Sequence, residues 1–127
     1  MSEKTRIFPS FRYRDARAAI RFLVAIGFEE AAVYGEGERV DHAQLNWPSG
    51  GAVMLGTDRP DSAISDLPAG VGSAYIVVDN PDEVHDRAVA AGATIIRGLV
   101  DEDYGSRGFT MRDPEGVLWS FGTYAGE

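Results

Sequence analysis

Residues 104–124, YGSRGFTMRDPEGVLWSFGTY, read as two strands joined by a tight turn. Phe109 and Met111 alternate with Thr110 and Arg112, and Trp119 and Phe121 alternate with Leu118, Ser120 and Gly122. Side chains that switch face at every residue mark a half-buried strand. Between the two runs stands Asp113-Pro114-Glu115-Gly116. Proline fixes one backbone torsion and glycine accepts a left-handed one, so Asp113, Pro114 and Gly116 are read as turn residues rather than site residues.

An earlier segment repeats the pattern. WPSGGAVML (47–55) echoes DPEGVLWSF (113–121), with Pro48 matching Pro114 and Gly50 matching Gly116. Upstream of each lies a strand-like run followed by a helical one. IFPSFRY leads into RDARAAIRFLVAIGF, where Ala16, Ala19, Ile20, Leu23 and Val24 recur at helical spacing, Asp15 can cap the start and Gly27 closes the end. SAYIVVD leads into NPDEVHDRAVAAGA, with Val84, Ala88 and Ala91 as the apolar face, Asn80 as cap, Pro81 in the first turn and Gly92 at the end. Each half therefore reads β-α-β-β-β. The expected strands are 5–13, 29–36, 39–47 and 52–57, then 73–79, 94–100, 107–113 and 117–124.

The expected fold class is α+β, with two βαβββ modules forming a curved mixed sheet that cups a ligand cleft. The whole chain, 1–127, is expected to be one domain, with module one at 1–57, a connecting stretch rich in Pro, Asp and Gly at 58–71 and module two at 72–127. Helices should cover one side of the sheet. On the other side, alternation places Phe8, Ser10 and Arg12 on strand one, His42, Gln44 and Asn46 on strand three, and Ser73, Tyr75 and Val77 on strand five. A mixed polar and aromatic lining of this kind suits a small-molecule pocket.

Composition excludes several alternatives. The chain has no cysteine, which rules out disulfides, zinc–thiolate sites and thiol nucleophiles. A net charge of −8 argues against a nucleic-acid binder, which needs basic patches, and suits either a cationic ligand or simple solubility. Runs such as AYIVV are too short to span a bilayer, and MSEKTRIF has no apolar signal core, so a cytoplasmic protein without a membrane partner is expected. Gly72-Ser73 opens a strand and does not form a strand-to-helix elbow, so it is not read as a nucleophile.

The layout resembles the vicinal oxygen chelate superfamily, which embraces glyoxalase, bleomycin-resistance and dioxygenase proteins. Two patterns carry the resemblance: Pro9-Ser10-Phe11-Arg12-Tyr13-Arg14-Asp15, and Tyr104-Gly105-Ser106-Arg107 running on into Arg112-Asp113-Pro114-Glu115-Gly116. Both are similar to the bleomycin-resistance branch. The resemblance implies that metal-bearing members would ligate a divalent ion at the positions held here by Phe8, Met54, Ser73 and Ser120. Such an ion wants imidazole or carboxylate donors, and none of the four supplies one. No metal and no other cofactor is therefore expected. The resemblance also implies a homodimer, with Pro9 near an N-terminal arm that the branch exchanges between subunits.

The expected ligand-binding set is then Phe8, Arg12, His42, Gln44, Trp47 and Met54 from module one, and Ser73, Tyr75, Tyr104, Arg112 and Ser120 from module two. Arg12 and Arg112 can bind a carboxylate or pair with an internal acid. Phe8, Tyr75, Met54 and Leu118 can form an apolar floor for a flat ligand, or can simply fill the old metal site. His42 can orient a ligand, act as an acid or base near neutral pH, or be a structural histidine, whereas His85 reads as a surface residue. The functional expectation is a binding protein that sequesters an aromatic or cationic compound, such as an antibiotic. The alternative is an enzyme, metal-free or metal-dependent, of lyase, isomerase or dioxygenase type acting on a small carbonyl compound.

Overall fold

A computed structural model of the chain describes residues 5–59 and 67–127. The fold is α+β: two four-stranded mixed sheets, each accompanied by one helix, in the order β1 (Ser10–Tyr13), α1 (Ala16–Ile26), β2 (Glu29–Glu36), β3 (Arg39–Asn46), β4 (Ala52–Thr57), then β5 (Ser73–Val77), α2 (Pro81–Ala90), β6 (Thr94–Asp101), β7 (Arg107–Arg112) and β8 (Leu118–Gly122). The repeat read from the sequence is thus present as two β-α-β-β-β modules. The chain divides into compact units at Val71/Gly72. Much of the expected connecting stretch 58–71 lies outside the described residues. Among the described residues no helix is long and apolar enough to cross a membrane.

In the first module the strand order is β1-β4-β3-β2. β1 runs parallel to β4, and β4-β3-β2 form an antiparallel meander. One face is apolar: Phe11, Tyr13, Ala43, Leu45, Val53 and Leu55 are buried. They meet α1, which lies against all four strands. The Asp15 carboxylate accepts from the Ala18 amide at 3.0 Å and caps that helix as expected. The apolar stripe of α1 is Ala16, Ala19, Ile20, Phe22, Leu23 and Ile26, while Val24 is exposed. Helical spacing alone admits Val24, but the sheet lies on the side of Phe22 and Ile26. The first strand is shorter than the expected 5–13. Proline has no N–H to give a ladder, and pairing starts at Ser10, although the Pro9 carbonyl still accepts from the Met54 amide at 2.9 Å.

The second module repeats this plan, with strand order β5-β8-β7-β6 and β5 parallel to β8. Phe109, Met111, Trp119 and Phe121 form its buried face, with Val84 and Ala88 of α2 buried above them. Burial of each large side chain contributes roughly 1.5–3 kcal/mol. Phe109 and Phe121 stack at 5.3 Å. His85, expected at the surface, is half-buried and meets the Phe109 ring edge-on at 5.1 Å. Asn80 occupies the N-cap position of α2, yet its side chain makes no cap bond and instead donates to Glu83 at 2.6 Å.

The turn between β7 and β8 is built on a buried carboxylate. Asp113 is 5% exposed. Its Oδ1 accepts from the amides of Glu115, Gly116 and Val117 at 3.0, 3.0 and 3.1 Å, and its Oδ2 accepts from Trp119 Nε1 at 3.1 Å. Gly116 takes a positive φ of 112°, as the turn reading requires. The corresponding turn between β3 and β4 has Trp47 in place of the aspartate. There the chain closes through backbone bonds, Trp47 N–H to Gly51 carbonyl at 2.9 Å and Gly50 N–H to Trp47 carbonyl at 2.9 Å.

Arg107, part of the motif that carries the family resemblance, ties α2 to the β6–β7 hairpin. Its Nε and Nη2 donate to the two oxygens of Asp82 at 2.8 and 3.0 Å, and its Nη1 donates to Asp101 at 3.2 Å. The hydrogen bond from Arg107 is the main cause that holds the Asp82 carboxyl below its ordinary value of 3.8. A carboxyl depressed in the folded state stabilises fully above its unfolded pKa, and that contribution fades as pH falls through the lower folded value. The pair is exposed and salt-screened, so the effect is small. Arg107→Ala is expected to remove a slight acid-dependent loss of stability below about pH 4. Melting temperature followed against pH at low salt checks this.

Candidate functional site

The side of each sheet away from its helix carries the residues expected to bind a ligand. On the first sheet, Ser10, Met54, Gln44 and Ala32 stand in register across β1, β4, β3 and β2. Met54 and Gln44 are half-buried, and the Gln44 amide donates to Asn46 Oδ1 at 2.9 Å. One step along, Arg12 pairs with Gly56 and His42 pairs with Tyr34. The His42 ring lies nearly parallel to that of Tyr34, 6.2 Å away at 15°. Tyr34 is 63% exposed, so this stack is a flat surface open to solvent. Phe8 is half-buried and precedes β1. Trp47 stands apart from these residues: it meets the buried Phe28 edge-on at 4.9 Å at the end of the apolar face.

On the second sheet the central row is Tyr75, Ser120, Thr110 and Arg97. The Ser120 and Thr110 hydroxyls share a hydrogen bond at 2.9 Å, and Arg97 is held by Glu102 at 2.6 Å. Ser73, Leu118 and Arg112 form the next row. The Arg112 guanidinium donates to the Gly116 carbonyl at 3.0 Å and so braces the turn. At the opposite end Tyr75 donates its hydroxyl to the Tyr124 carbonyl at 2.7 Å, and Tyr104 meets the Tyr124 ring edge-on at 5.8 Å. A hydrogen bond to the Glu127 carboxylate raises the Tyr124 phenol above its ordinary value. Tyr124 was not among the residues expected from the sequence. The signal for it was Gly122, two residues earlier, which leaves β8 bare for an aromatic ring to cross.

The two modules share that device. Gly56 and Gly122 occupy matching positions in the last strand of each module. A Cβ at Gly56 would stand 2.5 Å from Arg12 Nη1, and one at Gly122 would stand 2.7 Å from the Tyr75 hydroxyl. A polar group from the first strand therefore lies over bare backbone of the last strand in both sheets. The chemistry differs: a guanidinium in one module, a phenol in the other.

Phe8, Met54, Ser73 and Ser120, where the family resemblance would put metal ligands, do not suit a divalent ion. Phe8 has no donor atom, the Met54 thioether is soft, and the Ser120 hydroxyl is engaged with Thr110. Among the described residues no three His, Asp or Glu side chains are grouped to hold a metal.

Comparison with known proteins agrees with the fold. Residues 8–121 match the Glyoxalase/Bleomycin resistance protein/Dioxygenase superfamily. The uncharacterized protein Mb0911c of Mycobacterium bovis is 34% identical over 116 residues, covering 85% of this chain and 76% of that protein. The uncharacterized protein Rv0887c of Mycobacterium tuberculosis is also 34% identical over 116 residues, with 85% and 68% covered. Among solved structures, TioX from Micromonospora sp. ML1 superposes with a TM-score of 0.78 at 28% identity, covering 93% of this chain and 97% of TioX. A glyoxalase/bleomycin resistance protein/dioxygenase family enzyme from Burkholderia phytofirmans PsJN shares the fold, with a TM-score of 0.68 at 18% identity over 91% of this chain and 94% of the other. The repeated module and these likenesses, spanning nearly the whole sequence, lead to one assignment: the chain belongs to the Glyoxalase/Bleomycin resistance protein/Dioxygenase superfamily.

Proposed function

We propose that the chain is a small-molecule-binding member of this superfamily that works without a metal. It sequesters an aromatic or cationic compound, such as an antibiotic, in the cytoplasm and as a homodimer. The observation that carries this reading is the exchange of chemistry on the open sheet faces. In the first module the metal-ligand positions implied by the resemblance hold Phe8 and Met54, with half-buried Gln44 beside Met54 and the exposed Tyr34 ring on the same sheet; in the second they hold Ser73 and Ser120, with Tyr75 beside Ser120. Mixed polar and aromatic faces with a few oriented hydrogen-bonding groups suit recognition of a small molecule. The −8 net charge favours approach of a cation. The edge strands β2 and β6 and the exposed Ile7, Val71 and Ile96 support pairing with a second copy.

Three measurements test it together. Elemental analysis after dialysis against zinc, nickel and manganese is expected to find almost no bound metal. Titration with planar aromatic cations such as ethidium is expected to raise the melting temperature, with the compound recovered unchanged. Light scattering is expected to give the mass of two chains. A stoichiometric, tightly held metal would overturn the metal-free reading in favour of a metal-dependent enzyme. Consumption of a small carbonyl compound, lost in His42→Ala, would replace sequestration with acid–base catalysis by His42.

A further inference from the structure

One row of the first sheet is left unexplained by packing. It runs from Arg12 on β1 to Gly56 on β4, and on to His42 and Tyr34 on β3 and β2. Ala43 pairs with Leu55, which sets His42 beside Gly56. The missing side chain at Gly56 is what admits Arg12. The Cβ position there lies 2.5 Å from Arg12 Nη1 and 3.2 Å from the Asp41 carbonyl oxygen. Arg59, just beyond β4, donates its Nη2 to that same carbonyl at 3.2 Å. Two half-buried guanidiniums thus lie on the same stretch of sheet, Arg12 over the bare backbone of Gly56 and Arg59 on the Asp41 carbonyl beside it.

No ion pair among the described residues answers their charge. The Asp41 carboxylate is held by Arg39 at 2.8 Å. Among the described residues neither Arg12 nor Arg59 makes an ion pair. Arg59 Nε–H is buried and has no acceptor. Among the described residues no carboxylate is spent here. A buried donor without a partner calls for a specific explanation, and an absent ligand is one. The planar guanidinium fork fits a carboxylate with two parallel hydrogen bonds. The stacked rings of His42 and Tyr34, next along the row, offer a flat apolar neighbour.

We infer that Arg12 and Arg59 form a carboxylate-binding site, and that the compound this chain takes is an aromatic acid whose ring lies towards His42 and Tyr34. This rests on the small-molecule reading above and narrows it to an aromatic compound rather than a cationic one. The overall negative charge favours a singly charged carboxylate over a phosphate dianion.

The test uses the full chain with sodium benzoate, its neutral analogue benzamide, and inorganic phosphate. Benzoate is expected to bind about ten-fold or more tightly than benzamide, and to move the Arg59 Nε–H resonance downfield in proton–nitrogen correlation spectra. Arg12→Gln and Arg59→Gln should each abolish the preference while leaving benzamide affinity in place. Arg12→Lys should keep part of it, since the charge remains and the fork is lost. Arg87→Gln, on the outer side of α2, should change nothing. Equal binding of benzoate and benzamide, or an unmoved Arg59 resonance, overturns the carboxylate site while leaving the small-molecule reading intact. Tighter binding of phosphate at the same resonance overturns the assignment in favour of a phosphate-bearing ligand. Failure of both aromatic probes overturns the inference, and the screen with planar cations then judges the broader reading separately.

Discussion

Replacing Asp113 by alanine is expected to lower stability by about 3 kcal/mol or more, among the largest losses a single change in this chain can cause. The carboxylate receives three backbone amides and an indole N–H within 3.1 Å. It is 5% exposed, so water cannot take its place without opening the turn. Hydrogen bonds to a charged acceptor are each worth roughly 1.5–3 kcal/mol and are not additive. The loss should appear as a fall in melting temperature of about 10 °C, with a matching shift in the urea midpoint. Asp113→Asn separates charge from shape. One side-chain oxygen remains for the amides, but an amide N–H then faces a donor, and an intermediate loss is expected. Trp119→Phe removes the indole N–H together with part of a fully buried ring, so its loss combines one hydrogen bond with a cavity. If Asp113→Ala melts like the parent, the turn is not held by this carboxylate.

Gly108→Ala should be similarly damaging for a different reason. A Cβ at Gly108 would stand 2.3 Å from the Phe121 carbonyl oxygen and 3.0 Å from the Gly122 Cα. Both are backbone atoms of the neighbouring strand, and Gly108 pairs directly with Gly122. No rotamer change relieves such a contact, so β7 and β8 must separate. Overpacking of this kind costs about 3 kcal/mol. Gly98→Ala is the control, because a Cβ there meets nothing within 4 Å. It should be neutral or slightly stabilising, since alanine restricts the unfolded chain. Chemical denaturation of the two variants side by side gives the answer. Equal stability would show that the strands are more loosely joined at Gly108 than their spacing implies.

The fold was readable because its signals are local and periodic. Asp113-Pro114-Glu115-Gly116 marks a turn by its own chemistry, and its echo at Trp47-Pro48-Ser49-Gly50 reveals the repeat. Alternation then fixes which residues face the helices: Phe11, Leu45, Phe109 and Trp119 are all buried. Period alone does not give the centre of an apolar stripe: spacing admits Val24, yet Phe22 and Ile26 take the inward place. Nor does it show where a long side chain ends. Arg12 falls on the expected face, but its place over Gly56, next to the carbonyl that Arg59 reaches, depends on the β1–β4 register and on the bare backbone of Gly56. Arg59 itself sat in a stretch read only as connecting chain. The Tyr75–Tyr124 contact was hidden in the same way, since it joins residues 49 apart through a phenol and a carbonyl beyond the end of β8.

The parallel pairing of β1 with β4 also sets an order of events during synthesis. β1 leaves the ribosome first, but its ladder partner is the last strand of its own module, Ala52–Thr57. The earliest strand must wait, unpaired, for about as long as the β2–β3–β4 meander takes to emerge and form. Every strand partner of the first module is available once Thr57 is clear of the exit tunnel, because among the described residues none of its ladders reaches 72–127. Its sheet can therefore be complete while the second module is still being translated. The most exposed interval for this module comes before β4 appears, when Phe11 and Tyr13, both destined for the interior, have α1 to close upon but no strand beside them.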